Sequence, residues 1–329
     1  MPSVFESDVF TMQSLTAAIN EVQYVPSQIG SMNLFDADGI STTALLIEKD
    51  GDTLGLVESK PRGAPGTVVG ADKRTAVSFQ TAHLPAVANV MADEVQNVRA
   101  FGTENTEEGV QQVVNRRLAK MAQRIDMTHE YHRLGAVMGK VLDSDGTVLY
   151  DLFSSFGMQQ KTVAMGLDAA QTDPQGKALE IHEKTEEALG GLSYTGITVV
   201  CGKTFWRKWI GNEEVKAAYQ RYQEGAQLRA DPRDGFMFGG IFWERYRGGG
   251  KIKVPDNEAY TIPTGVLDLF ITRFAPGDYM EAVNTLGLPL YSSSHALAHN
   301  KGVELEAQSN PAHLCTKPSA CLKLKAAAS

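Results

Sequence analysis

The stretch MTHEYHRLGAVMGK, residues 127–140, decides between two kinds of protein. It crowds His129, Glu130 and His132 together and follows them with Gly135 and Gly139. The segment is either a metal site with its general base or the end of a structural rod. Upstream, Val114, Leu118, Met121 and Ile125 recur at spacings of three and four, while Arg116, Arg117, Lys120, Arg124 and Asp126 fall elsewhere on the wheel. At about 100° per residue His129, His132 and Ala136 continue the apolar stripe. A zincin helix needs H-E-x-x-H, and this chain has H-E-x-H with no third ligand at a recognisable spacing downstream. The spacing therefore predicts one long amphipathic helix over about 107–142 with both imidazoles at its buried edge. Gly135 and Gly139 cost about 1 kcal/mol each against alanine inside a helix. They mark either a bend or a close backbone approach to a neighbouring strand.

Outward toward the amino terminus, residues 1–35 read as an extended arm with at most one short helix around SLTAAINEV. STTALLIEKDGDTLGLVES then places Asp50-Gly51 between two β-prone runs, a hairpin signal. KPRGAPGTVVGADKRT is an open linker, so the hairpin is expected to project. Outward toward the carboxyl terminus, Asp145-Gly146 signals a turn, and helices then alternate with strands. Asp173, Pro174 and Gly190 carry the cap, first-turn and stop positions of one helix, and Asn212 caps another. GITVVCG, FMFGGIFWERY, TGVLDLFITRF, GVELEAQS and ACLKLKA read as strands, and GGGKIKVPDNEAY separates the second from the third. The class is α+β.

Composition sets the outer limits. A chain of 329 residues suggests two compact units, or one unit with large insertions. No run of about 18 apolar residues could span a bilayer, and MPSVFESDVF has no secretory pattern, so the chain is expected to stay in the compartment that makes it. Cys201, Cys315 and Cys321 form no C-x-x-C pair and read as reduced thiols. A net charge of -8 without a long basic block gives no footprint for tight nucleic-acid binding.

The remaining chemical candidates are weak. GGGK at 248–251 has Ile252 where a phosphate loop needs a hydroxyl. DSDGTVLYD lacks calcium-loop ligands and reads as a turn. SSSHALAH, with His295 and His299, has no nucleophile elbow and reads as a surface loop. His83, His182 and His313 are scattered, and the aromatics of WRKW fit a core better than a stacking platform. No catalytic residue, cofactor or metal site is expected.

APGDYMEAVNTLGLPLYSS, NKGVELEAQSNP and LCTKPSACLKLK resemble, in order and spacing, the carboxy-terminal segment of the phage lambda-type major capsid protein family, the phage capsid protein E family. NRRLAKMAQRIDMTHEYHRLGAVMGKVLDSDGTVLYDLF is similar to that family's long helix and the turn after it. The resemblance implies the HK97-like major capsid fold: an N-arm at 1–35, an E-loop at 36–70, and a peripheral domain at 71–165 with its spine helix. An axial domain at 166–285 and a return to the peripheral domain at 286–329 complete it. It further implies inter-subunit contact at the E-loop tip, Lys49, Asp50, Gly51 and Asp52, and a bend in the spine helix at Gly135 and Gly139. The implied partners are further copies in pentamers and hexamers, a scaffolding protein, a portal, in some members a decoration protein, and packaged double-stranded DNA held without sequence reading. No membrane is implied. The virion capsid, and the host cytoplasm during assembly, are the implied locations. The competing reading from the residues alone is a soluble metal-dependent hydrolase using His129, Glu130 and His132.

Overall fold

The computed structural model describes residues 10–22, 27–49, 75–95, 106–168, 172–224 and 235–327. In chain order the elements begin with α1 (Met12–Asn20), β1 (Phe35–Gly39), β2 (Ala44–Lys49), β3 (Thr75–Gln80), β4 (Leu84–Met91), α2 (Ala92–Val95) and α3 (Thr106–Met138). They continue with β5 (Lys140–Leu142), β6 (Val148–Asp151), α4 (Leu152–Ser155), β7 (Thr162–Ala164), α5 (Pro174–Leu189), β8 (Gly196–Cys201), α6 (Lys203–Gly211) and α7 (Glu213–Glu224). The remainder are β9 (Gly235–Phe238), β10 (Ile241–Arg245), β11 (Glu258–Thr264), β12 (Phe270–Phe274), β13 (Tyr291–Ala296), β14 (Gly302–Ser309), β15 (Pro311–Cys315) and β16 (Lys323–Lys325).

The contacts divide the chain into two compact units. One comprises Met1–Leu45, Phe79–Tyr131 and Ile271–His313, and the other Leu46–Ser78, His132–Phe270 and Leu314–Ser329. In the first unit the antiparallel sheet β13-β14-β4 turns Val90, Val303 and Leu305 inward onto the apolar stripe of α3, with Val114, Leu118, Met121 and Ile125 all buried. Alternation in β4 and the three-and-four spacing in α3 make these two faces complementary. α1 adds Leu15 and Ile19 to the same core, and its Thr16 hydroxyl both donates to Ser292 O (3.2 Å) and accepts from Ser292 N (3.1 Å). Within the expected arm, α1 is thus a helix seated on β13.

In the second unit six strands run β7-β16-β11-β8-β10-β9, with β10 parallel to β8 and β11 antiparallel to it. Its core is aromatic. Trp209 stacks on Trp243 with ring centroids 4.1 Å apart, and Phe205 and Phe236 are fully buried beside them. The aromatics of WRKW are core residues here, Trp206 included.

Four expectations are corrected. FMFGGIFWERY is two strands: Gly239 and Gly240, at φ 59° and 76°, make a two-residue turn between β9 and β10, the left-handed pair a tight hairpin needs. EAY, the end of the segment expected to separate strands, opens β11, EAYTIPT, in the middle of the sheet. Pro263 is tolerated there because β16 pairs only with Glu258–Tyr260, leaving the proline beyond it. YSSSHA is a strand, β13, in place of the expected loop, and its Ser292 and Ser294 hydroxyls bond the Glu306 and Phe10 carbonyls. TGVLDLFITRF narrows to β12 because Gly265 (φ 75°) and Asp268 (φ 53°) turn the chain first.

α3 has 33 residues, about 50 Å of rod, and stops short of the expected 142. Gly139 lies past its last turn at φ 85°, and Lys140 already belongs to β5. Asp173, Pro174 and Gly190 cap, start and stop α5, and the Asn212 carboxamide accepts from Glu214 N (3.1 Å) ahead of α7, all as the sequence indicates.

Candidate assembly surface

The residues that look most like chemistry are committed to structure. Glu130, 2% exposed, accepts from Ile29 N (2.8 Å) and Gly30 N (3.1 Å), so its carboxylate closes the start of the short turn Gly30–Met32. His129 Nε2 lies 3.0 Å from Ser309 Oγ, and its ring meets His313 edge-on at 5.2 Å. His313 Nδ1 in turn lies 2.7 Å from Thr272 Oγ1. His132 is 1% exposed, and burial pulls its imidazole down to about 4 although Asp143 opposes this. A general base needs access to water and a ligand set needs convergence, and Glu130 has neither here. Among the described residues no three His, Cys, Asp or Glu side chains are placed to hold a metal ion. The hydrolase reading gains no support from this geometry.

Gly135 lies where a Cβ would come 2.7 Å from Lys140 O and 3.0 Å from Val141 Cα, so the backbone of β5 occupies the space a side chain would take. At Gly139 a Cβ would run into the Phe153 ring. Both glycines are close-approach positions. Lys49 ends β2, which pairs with β3 in a two-stranded ribbon. Asp50, Gly51 and Asp52 lie outside the described residues.

The surface of the first unit carries a feature that the sequence reading missed. Between β12 and β13 the chain forms a 3-10 turn, Met280–Ala282, and then a loop that exposes Met280 (87%), Val283, Leu286 (69%) and Leu288. The loop is pinned. Tyr291 Oη accepts from Leu288 N (3.0 Å), Gly287 N donates to Ile40 O (3.0 Å), and Gly287 packs so tightly on the Phe274 backbone that a Cβ would clash. Beside it, α1 and residues 281–291 enclose a mostly apolar groove of about 750 Å³, lined by Met12, Thr16, Asn20, Leu286 and Leu288 among others. Apolar side chains held rigidly in water mark a surface that another molecule covers. The signal in the sequence was YMEAVNTLGLPL, apolar residues without helical or strand period.

A long helix packed on an antiparallel sheet, with a second mixed α/β unit, is the fold that solved phage capsid proteins share with this chain. Solved structures bear out the fold. The chain matches a prophage protein of E. coli CFT073 assigned as a capsid protein, 12% identical, with 96% of this chain and 99% of that chain covered and a TM-score of 0.61. It also matches the capsid subunit of cyanophage A-1(L), 11% identical over 93% of this chain and 94% of that one, with a TM-score of 0.51. The chain belongs to the family of phage major capsid protein E, whose model matches residues 11–326. Relatives named major capsid protein occur in Salmonella phage Felix O1, 26% identical over 98% of this chain and 97% of that protein, and in Pseudomonas phage KPP10, 28% identical over 90% and 91%. The family is structural, and the chain is a component of the virion head.

Proposed function

We propose that copies of this chain close into pentamers and hexamers that form an icosahedral shell around packaged double-stranded DNA. The observation that carries the reading is the pinned apolar loop 280–288 beside its groove, on a chain of the capsid family. In the shell a neighbouring copy covers this loop. Residues 36–70 are the E-loop of this reading, and Lys49, Asp50, Gly51 and Asp52 reach a neighbour. Residues 1–35 serve as the N-arm, α3 as the spine, 166–285 as the axial domain and 286–329 as the return to the peripheral domain.

Head-to-tail contacts that close both five-fold and six-fold rings require a compliant element. The E-loop and the Gly135/Gly139 end of α3 supply it in this proposal. Scaffolding protein and portal direct assembly in the host cytoplasm, and a decoration protein can add to the outer face. Purified protein, alone and with its scaffolding partner, is examined by negative-stain microscopy. Hollow particles are expected, and a monodisperse monomer under both conditions overturns the proposal.

A further inference from the structure

The outward face of α3 carries three cations in register. Arg116, Lys120 and Arg124 are exposed and stand four residues apart, so their Cα atoms climb the rod by about 6 Å each and drift only about 40° around it. None of the three has an ion-pair partner among the described residues. Arg117, on the adjoining flank, binds Glu94. The chain has a net charge of -8, and no described carboxylate pairs with this stripe.

The neighbours of the three cations describe the ligand. Gln112, Asn115 and Gln123 are exposed on the same side of the helix, and one apolar side chain, Met127, lies at its carboxyl end, 61% exposed. A protein partner needs an apolar core at the contact, with charge at the rim. Evenly spaced cations flanked by carboxamides suit a chain of phosphates, which takes charge-assisted bonds from Arg and Lys and neutral ones from Asn and Gln. We propose that this face of α3 is a sequence-independent contact for the phosphate backbone of double-stranded nucleic acid. One copy supplies few charges, and an array of copies multiplies them on a tethered polymer. The proposal rests on the shell reading only for the identity of the polymer.

The test uses the full chain, wild type and the triple variant Arg116→Gln, Lys120→Gln, Arg124→Gln, with a fluorescein-labelled duplex of about 30 base pairs followed by anisotropy between about 50 and 200 mM salt. Three phosphate contacts give a log–log salt slope of about -2.7 for the wild type, unchanged when the duplex sequence is scrambled. The variant is expected to bind on the order of tenfold more weakly or worse at the low-salt end, with its slope close to zero. Equal binding by both proteins overturns the proposal, as does no binding by the wild type at about 50 mM salt. Tighter binding to an acidic helical peptide than to the duplex overturns it in favour of a protein partner. Negative-stain microscopy of both proteins separates this failure from the other one: shells that form with unaltered DNA binding remove the stripe alone, and absence of shells from the wild type removes the shell reading.

Discussion

Glu130 places both carboxylate oxygens on backbone N–H groups of a segment about a hundred residues earlier in the chain. Glu130→Gln leaves one acceptor and removes the charge, so unfolding in urea should show a loss of about 1.5–3 kcal/mol. His132 sets a pH dependence with a definite sign. Its unfolded imidazole protonates below about 6.5 and its folded one only below about 4, so the unfolded chain binds more protons between those values. Stability from this group is complete above about pH 6.5 and falls as pH drops toward 4, by about 2 kcal/mol at pH 5. Urea midpoints at pH 7 and 5 should show His132→Leu losing less than wild type by about that amount. Cys315 and Cys321, Sγ atoms 4.0 Å apart, and Cys201 are all buried; burial raises the Cys201 thiol well above the ordinary value, and the contact with Cys315, together with burial, does the same to Cys321. Mass spectrometry after brief iodoacetamide treatment of the native protein should find all three cysteines unmodified, and all three modified in urea. The wheel made the burial of both imidazoles legible. The partners of Glu130 were not legible, because no local rule links residue 130 to residue 29.

At the scale of elements, periodicity and caps carried most of the information. α3 was legible because one apolar stripe persists from Val110 to Ala136, and α5 because Asp173, Pro174 and Gly190 each fit one end of a helix. β14 was legible as GVELEAQS. What failed was local composition overridden by packing. Serines in β13 find carbonyls inside the unit, Pro263 in β11 sits where the neighbouring strand has ended, and Gly239-Gly240 was absorbed into one strand although a paired glycine between apolar runs is itself a turn signal. The glycines at the end of α3 have a consequence of this kind. Gly135→Ala meets β5 backbone, and Gly139→Ala combines a left-handed φ with the Phe153 ring. Each should lower stability by about 1–3 kcal/mol in a thermal melt, so a changed particle geometry in either variant has to be judged against that loss.

At the scale of the whole molecule, composition indicated two units and an acidic total, and the structure divides the chain in two. The assembly surface was less legible, because a rigid apolar loop looks like any irregular segment until Tyr291 and Gly287 are seen to pin it. Leu286→Asp puts a carboxylate on a side chain 69% exposed. The isolated chain should keep its melting temperature while particle yield by sedimentation falls severalfold or more; undiminished yield would show that no neighbour covers the loop. The first unit is also interleaved, drawing on segments near the start, the middle and the far end of the sequence. β14 lies between β13 and β4, and it comprises residues 302–309. A nascent polypeptide emerging from the ribosome therefore lacks the middle of that sheet until residues 302–309 have been made. Any copy that stops short of residue 302 leaves β4 and β13 without the strand that joins them.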